Sequence, residues 1–224
     1  MPLFEPLDWI AIAAFVLGWL SYTWLVDFSP LRTRTLTAAM NVQRRLWMEA
    51  MLRRDLRMID TSIIAGLQNG TAFFASTSLL AIGAAFALLT TSDQVLGVVQ
   101  DIPIHVNTSR AAWEIKALAL IAIYAYAFFK FGWAYRLFNY TSVLMGAVPP
   151  SGERDSDEAR LAIERATRMN VLAGHHFSLG QRAFFFSVGL LGWFAGAWVF
   201  LLVTLVVVAA LCRRQFSVPP IAML

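Results

Sequence analysis

Four stretches of this sequence are long and apolar enough to cross a lipid bilayer, and few folds are open to a chain that carries them. Trp9–Val26, Ile63–Thr90 and Ala183–Leu211 contain no charged residue, and a fourth run, Ala117 to about Tyr140, is interrupted only by Lys130 and Arg136. A hydrocarbon core about 30 Å thick is crossed by about 20 helical residues. Inside it every backbone N–H and C=O must find a partner within the protein, so spans are helices or closed barrels. These runs are too long and too uniformly apolar for barrel strands. Composition agrees: 58% of the residues are hydrophobic and 14% charged, against about 45–50% and about 25% in soluble domains. Water-soluble, disordered, collagen-like and disulfide-scaffold classes are excluded. The expectation is an all-α membrane protein, one polytopic domain over 1–224 with spans at 9–26, 63–90, 117–140 and 183–211.

The charge is scarce and segregated. Connection 27–62 holds Arg32, Arg34, Arg44, Arg45, Arg53, Arg54 and Arg57, and connection 141–182 holds Arg154, Arg160, Arg165, Arg168 and Arg182. The connection 91–116 holds only Arg110 and Lys116. Basic residues concentrate in cytoplasmic loops, so the two Arg-rich connections are predicted to be cytoplasmic and both termini periplasmic, with the bacterial inner membrane as location. Arg213 and Arg214 run against that orientation. The first segment, with Glu5 and Asp8 and no basic residue before it, lacks the positive region of a secretory signal and is expected to stay as a span. The net charge of +4 does not belong to an isolated basic domain, so nucleic acid is not an expected partner. The expected one is the bilayer, with anionic lipid at the Arg-rich face.

Both connections should contain helices. Ser29-Pro30 reads as a helix start, and Leu36, Met40, Trp47, Met51 and Met58 recur at helical spacing. An amphipathic cytoplasmic helix running into the second span is predicted. A second helix is predicted over about 155–172, with Gly174 as its stop and His175 and His176 beyond it. The second span is unusually polar, and polar groups in hydrocarbon should face protein or water. Asn69, Thr71, Ser76 and Thr77 are the candidate lining of a solute path. Gly66 and Gly70, and the stripe Gly189, Gly192 and Gly196, are candidate helix-packing sites and make a homo-oligomer the expected state. Lys130 and Arg136 are the cations nearest the membrane interior. Asp60 could cap the second span or pair with Lys130 or Arg57.

No catalytic, cofactor or metal motif is present. His105, His175 and His176 lack metal-ligand spacing, and Cys212 is the lone cysteine. Two readings of function follow. The first is a homo-oligomeric conduit or transporter for a small ion or solute. The second is a non-catalytic accessory or scaffold protein that binds anionic lipid or a larger membrane complex.

Two blocks carry a resemblance. One is Arg57-Met58-Ile59-Asp60-Thr61 leading into Gly66-Leu67-Gln68-Asn69-Gly70-Thr71-Ala72-Phe73-Phe74-Ala75-Ser76-Thr77. The other is Lys130-Phe131-Gly132-Trp133, Arg136-Leu137-Phe138-Asn139-Tyr140 and Gly146-Ala147-Val148-Pro149. With the four-span layout, they resemble domain-of-unknown-function family 599, an uncharacterised bacterial and plant family of integral membrane proteins, over about 10–211. The resemblance implies a membrane protein and no particular activity, and no functional residue is inherited from it.

Overall fold

The computed structural model describes residues 3–90 and 109–217, and all regular structure in them is helical. Six α-helices follow one another: α1 (Pro6–Asp27), α2 (Leu36–Leu52), α3 (Met58–Thr90), α4 (Arg110–Gly146), α5 (Asp157–Phe194) and α6 (Ala197–Phe216). Short 3-10 turns at Pro30–Arg34 and Ser151–Glu153 precede α2 and α5. Local chemistry marks the starts. Glu5 and Asp8 form a reciprocal capping box around Pro6, and the hydroxyls of Thr35, Ser109 and Ser156 accept the backbone N–H three residues on. Each satisfies a donor that the first helical turn leaves unpaired.

Four helices, α1, α3, α4 and α6, are long and apolar enough to cross a membrane. The N-terminal half of α5 is polar, but Phe177, Ala183, Phe186, Leu190 and Trp193 of its C-terminal half lie in the same core as α1, α4 and α6. At 38 residues, α5 is about 57 Å long at 1.5 Å per residue. It serves both the bundle and the polar cap beneath it.

The predicted fourth span, 183–211, is therefore corrected. The chain reverses at Ala195-Gly196, where Gly196 has φ +129°, and residues 183–194 and 197–211 are the two legs of a hairpin. Gly189 and Gly192 pack inside it. A Cβ at Gly189 would lie 2.8 Å from Thr204 Oγ1, and one at Gly192 would lie 3.3 Å from the Val199 carbonyl oxygen. Gly196 belongs to the turn and not to a packing stripe.

This extra leg changes the topology. At one end of the bundle, Trp193 Nε1 donates to Asp8 at 2.6 Å, Lys116 Nζ to the Trp193 carbonyl at 3.0 Å, and Trp113 Nε1 to the Leu88 carbonyl at 3.0 Å. At the other end, Gln215 Nε2 donates to Thr37 Oγ1 at 2.7 Å and Arg182 pairs with Asp27. Phe4, stacked on Trp193, and Gln215 thus lie at opposite ends. The prediction of both termini on one side rested on four crossings; the hairpin adds a fifth leg.

Two further expectations change. Gly174 does not stop a helix, because α5 runs through it, and His175 and His176 lie within α5 instead of in a connection. The helix of the first connection does not run into the second span: α2 ends at Leu52 and α3 starts at Met58. Of its predicted apolar side, Met51 is buried, whereas Met40 and Met58 are exposed. His105 lies outside the described residues.

Candidate functional site at the arginine-rich end

Beneath the bundle, α2 packs against α5, and Met48 and Met51 join Ile64, Leu137, Phe138, Met145, Ile163 and Ala166 in a second apolar core. Polar ties hold this cap. Asp60, fully buried, accepts from Trp47 Nε1 at 2.8 Å and Arg54 Nη1 at 2.6 Å, so it joins α2 and α3. Its partner is thus Arg54, and neither Lys130 nor Arg57. Arg57 instead donates to the carbonyls of Val148 at 2.9 Å and Pro149 at 2.5 Å, beside the C-terminus of α4, where a cation complements the helix dipole.

Asp27 and Arg182 form a bidentate pair at 2.5 and 2.8 Å, with side chains 13% and 6% exposed. The Arg182 guanidinium also lies over the Tyr22 ring, 5.5 Å from its centroid. This pair ties α1 to α5.

Arg182 is one wall of a cavity of about 180 Å³ under α2. Arg44 and Arg214 are two others, and Asn41, Gln181 and Gln215 add amides. Among the described residues no carboxylate lines it. Arg182 is neutralised by Asp27 behind it, but among the described residues neither Arg44 nor Arg214 has a carboxylate within ion-pair distance. Arg44 donates to fully buried Asn170 and lies over the Phe138 ring. Gly174 makes room for it, since a Cβ there would meet Arg44 Nη2 at 2.9 Å. Burial pushes the Arg44 guanidinium below its usual pKa, because the charged form loses hydration with no anion to replace it. The sequence contained the charges of this site but not their convergence: Arg44 and Arg182 come from different connections, and Arg214 had read as an exception.

The residues singled out in sequence are placed otherwise. Asn69 and Ser76 are not brought together with the rest: Asn69 is exposed, Ser76 and Thr77 lie on the outer side of α3, and Thr71 is buried against the bundle. Thr71 and Thr77 each donate to a carbonyl of their own helix, of Leu67 and Phe73. The four do not converge within the chain. Gly66 and Gly70 face open space, and a Cβ added at either would meet nothing within 4 Å. Lys130 lies over the Tyr126 ring at 5.2 Å, and Arg136 donates to Tyr140 Oη at 2.7 Å with Trp133 beneath it. Both therefore sit among aromatic rings, as cations near a membrane interface do. Among the described residues no cluster of metal-ligating side chains occurs.

A family model described as "Protein of unknown function, DUF599" matches residues 10–220. No curated protein and no solved structure matches the chain.

Proposed function

Because this chain belongs to the DUF599 family, whose description carries no activity, we propose from its geometry that it is a non-catalytic accessory membrane protein whose arginine-rich end engages anionic lipid. The observation that carries this reading is the segregation of charge along the bundle. Every arginine except Arg110 lies in the half that holds α2. A bundle with one basic end attracts an anionic leaflet, at about 1 kcal/mol per basic residue near the surface. The positive-inside rule favours that end in the cytoplasm of a bacterial inner membrane. On this reading, Arg213 and Arg214 lie on the cytoplasmic side with the other arginines and the N-terminal end lies outside, since the two ends of the chain are at opposite ends of the bundle. The exception met in the sequence disappears in this orientation. The helix α2, with Met48 and Met51 inward and Arg45 and Arg53 pointing away from that core, lies on this reading as an amphipathic element at the membrane surface.

Reconstitution tests the reading. The protein should unfold at a higher temperature in nanodiscs containing phosphatidylglycerol than in phosphatidylcholine alone. Replacing Arg32, Arg34, Arg45 and Arg53 with Gln together should remove most of the difference, as should high salt, which screens exposed charge. Equal stability in both lipids would remove the reading.

A conduit between copies is the second reading, favoured by the exposed Asn69, Gly66 and Gly70 on one flank of α3. An amide facing lipid is costly, and small residues permit close helix approach. On this reading Asn69→Leu abolishes solute flux in reconstituted vesicles while the oligomer persists by cross-linking. A monomer in lipid, or unchanged flux, decides against it.

A further inference from the structure

We infer that the cavity under α2 is a binding site for a phosphate-bearing group, held between Arg44 and Arg214. Three features of the cavity agree. Among the described residues it is lined by three arginines and no acid, and only Arg182 is compensated. Arg44 is set deep, against the Phe138 ring and the fully buried Asn170, with no carboxylate of the described residues beside it. Removing a cation from water is expensive unless an anion meets it. Of the remaining polar groups, the amides of Asn41 and Gln181 can donate and Gln215 keeps one N–H beyond the one it gives Thr37, whereas the Ser178 hydroxyl donates to the Gly174 carbonyl. Arginine forks match the tetrahedral oxygens of a phosphate bidentately, and such charge-assisted bonds are the strong ones. Arg214, exposed and lying over Phe185 at 6.0 Å, is the outer of the two cations, and Arg44 the inner.

The phosphate has two sources, a free anion or a lipid headgroup, and the surroundings supply a way to tell them apart. Tyr22 is a wall common to this cavity and to a groove of about 540 Å³ between α1 and α6, lined also by Gly18, Ser21, Leu25, Val208 and Cys212. The groove climbs from the arginine-rich end toward the middle of the bundle. A phospholipid with its headgroup in the cavity has room there for an acyl chain. Glycerol phosphate or inorganic phosphate does not use it.

This inference does not depend on the general attraction of the basic end for anionic lipid. Binding to the purified protein in a neutral detergent tests it, with inorganic phosphate, glycerol phosphate and phosphatidylglycerol as probes read by thermal shift and native mass spectrometry. At least one probe should bind the unaltered protein. Its affinity should fall about tenfold or more in Arg44→Gln and in Arg214→Gln, since each removes a charge-assisted hydrogen bond. Arg168→Gln, an exposed arginine away from the cavity, should bind as the parent does. Arg214 is exposed and packs only on its rim, so its variant reports on binding even if Arg44→Gln folds poorly. Ser21→Trp fills the groove. Loss of phosphatidylglycerol with retention of glycerol phosphate in that variant identifies a lipid, and equal retention of both identifies a free anion; each supports a phosphate site. No binding by any probe, or unchanged affinity in Arg214→Gln, overturns it.

Discussion

Replacing Arg182 with Ala is expected to be the most damaging single change in the bundle. It leaves the Asp27 carboxylate, 13% exposed, without its bidentate partner, and breaking a buried pair from one side costs about 3–5 kcal/mol. For a chain of this size that corresponds to a fall on the order of 10 °C in Tm, measured by thermal unfolding in detergent. The pair itself is a different matter from its rupture. Two charges taken out of water repay their lost hydration only in part, so replacing both with apolar groups should recover much of the loss. The double variant Asp27→Leu/Arg182→Met should therefore unfold well above Arg182→Ala. A shift of under about 2 °C in the single variant would mean that the pair contributes no more than one on an exposed surface. Arg182 also supports the cavity under α2, so Arg182→Ala should weaken whatever occupies it, through position as well as charge.

The second large effect is expected at Gly196. Its φ of +129° and ψ of 163° lie in a backbone region open almost only to glycine, and a side chain there costs about 1–3 kcal/mol. No atom lies within 4 Å of the position a Cβ would take, so the cost is in the backbone alone. Gly196→Val should lower Tm by several degrees, on the order of 5 °C. Gly196→Ala should lose most of that amount, which a purely steric effect would not produce. Gly83 offers the opposite case. It is an exposed glycine inside α3 with nothing near it, and Gly83→Ala should raise Tm slightly, since alanine favours a helix by about 1 kcal/mol over glycine. If Gly196→Val and Gly83→Ala behave alike, residue 196 does not form the turn between α5 and α6.

These two sites mark where sequence reasoning stopped. Hydropathy located α1, α3 and α4 because each is an apolar run bounded by charge or polar turns. It missed the α5–α6 hairpin because both legs are apolar and the turn, Ala195-Gly196, carries no polar signal. A tight reversal needs only one glycine of unusual φ, and the same glycine also fitted a spacing pattern for helix packing. Gly174 erred in the other direction. Near the end of a polar helix it looked like a stop, whereas it lies inside α5 and gives the Arg44 guanidinium its space. Hydrocarbon disfavours unpartnered polar groups, and in the sequence this makes the polar residues of α3 a candidate lining. Two of them, Thr71 and Thr77, are satisfied by carbonyls of their own helix, a solution that requires no cavity.

The candidate site was legible only in its ingredients. The arginines of 27–62 and 141–182 were visible, as was their common sign. Which of them would meet was not, because Arg44 and Asn170 are 126 positions apart and Asp27 and Arg182 are 155 apart. Such pairs depend on how α1, α2 and α5 align along their axes.

The sequence by itself determined that this chain is helical, carries runs long and apolar enough to cross a membrane, and gathers its arginines mainly in two connections. Those properties follow from the cost of unpaired backbone and bare charge in hydrocarbon, which acts on each segment separately. The tertiary structure alone decided how many times the chain traverses the bundle, which end holds its C-terminal helix, and which arginines are left without a counter-ion among the described residues. Those depend on one backbone angle at Gly196 and on the packing of α5 against its neighbours, and no local property of the sequence records either.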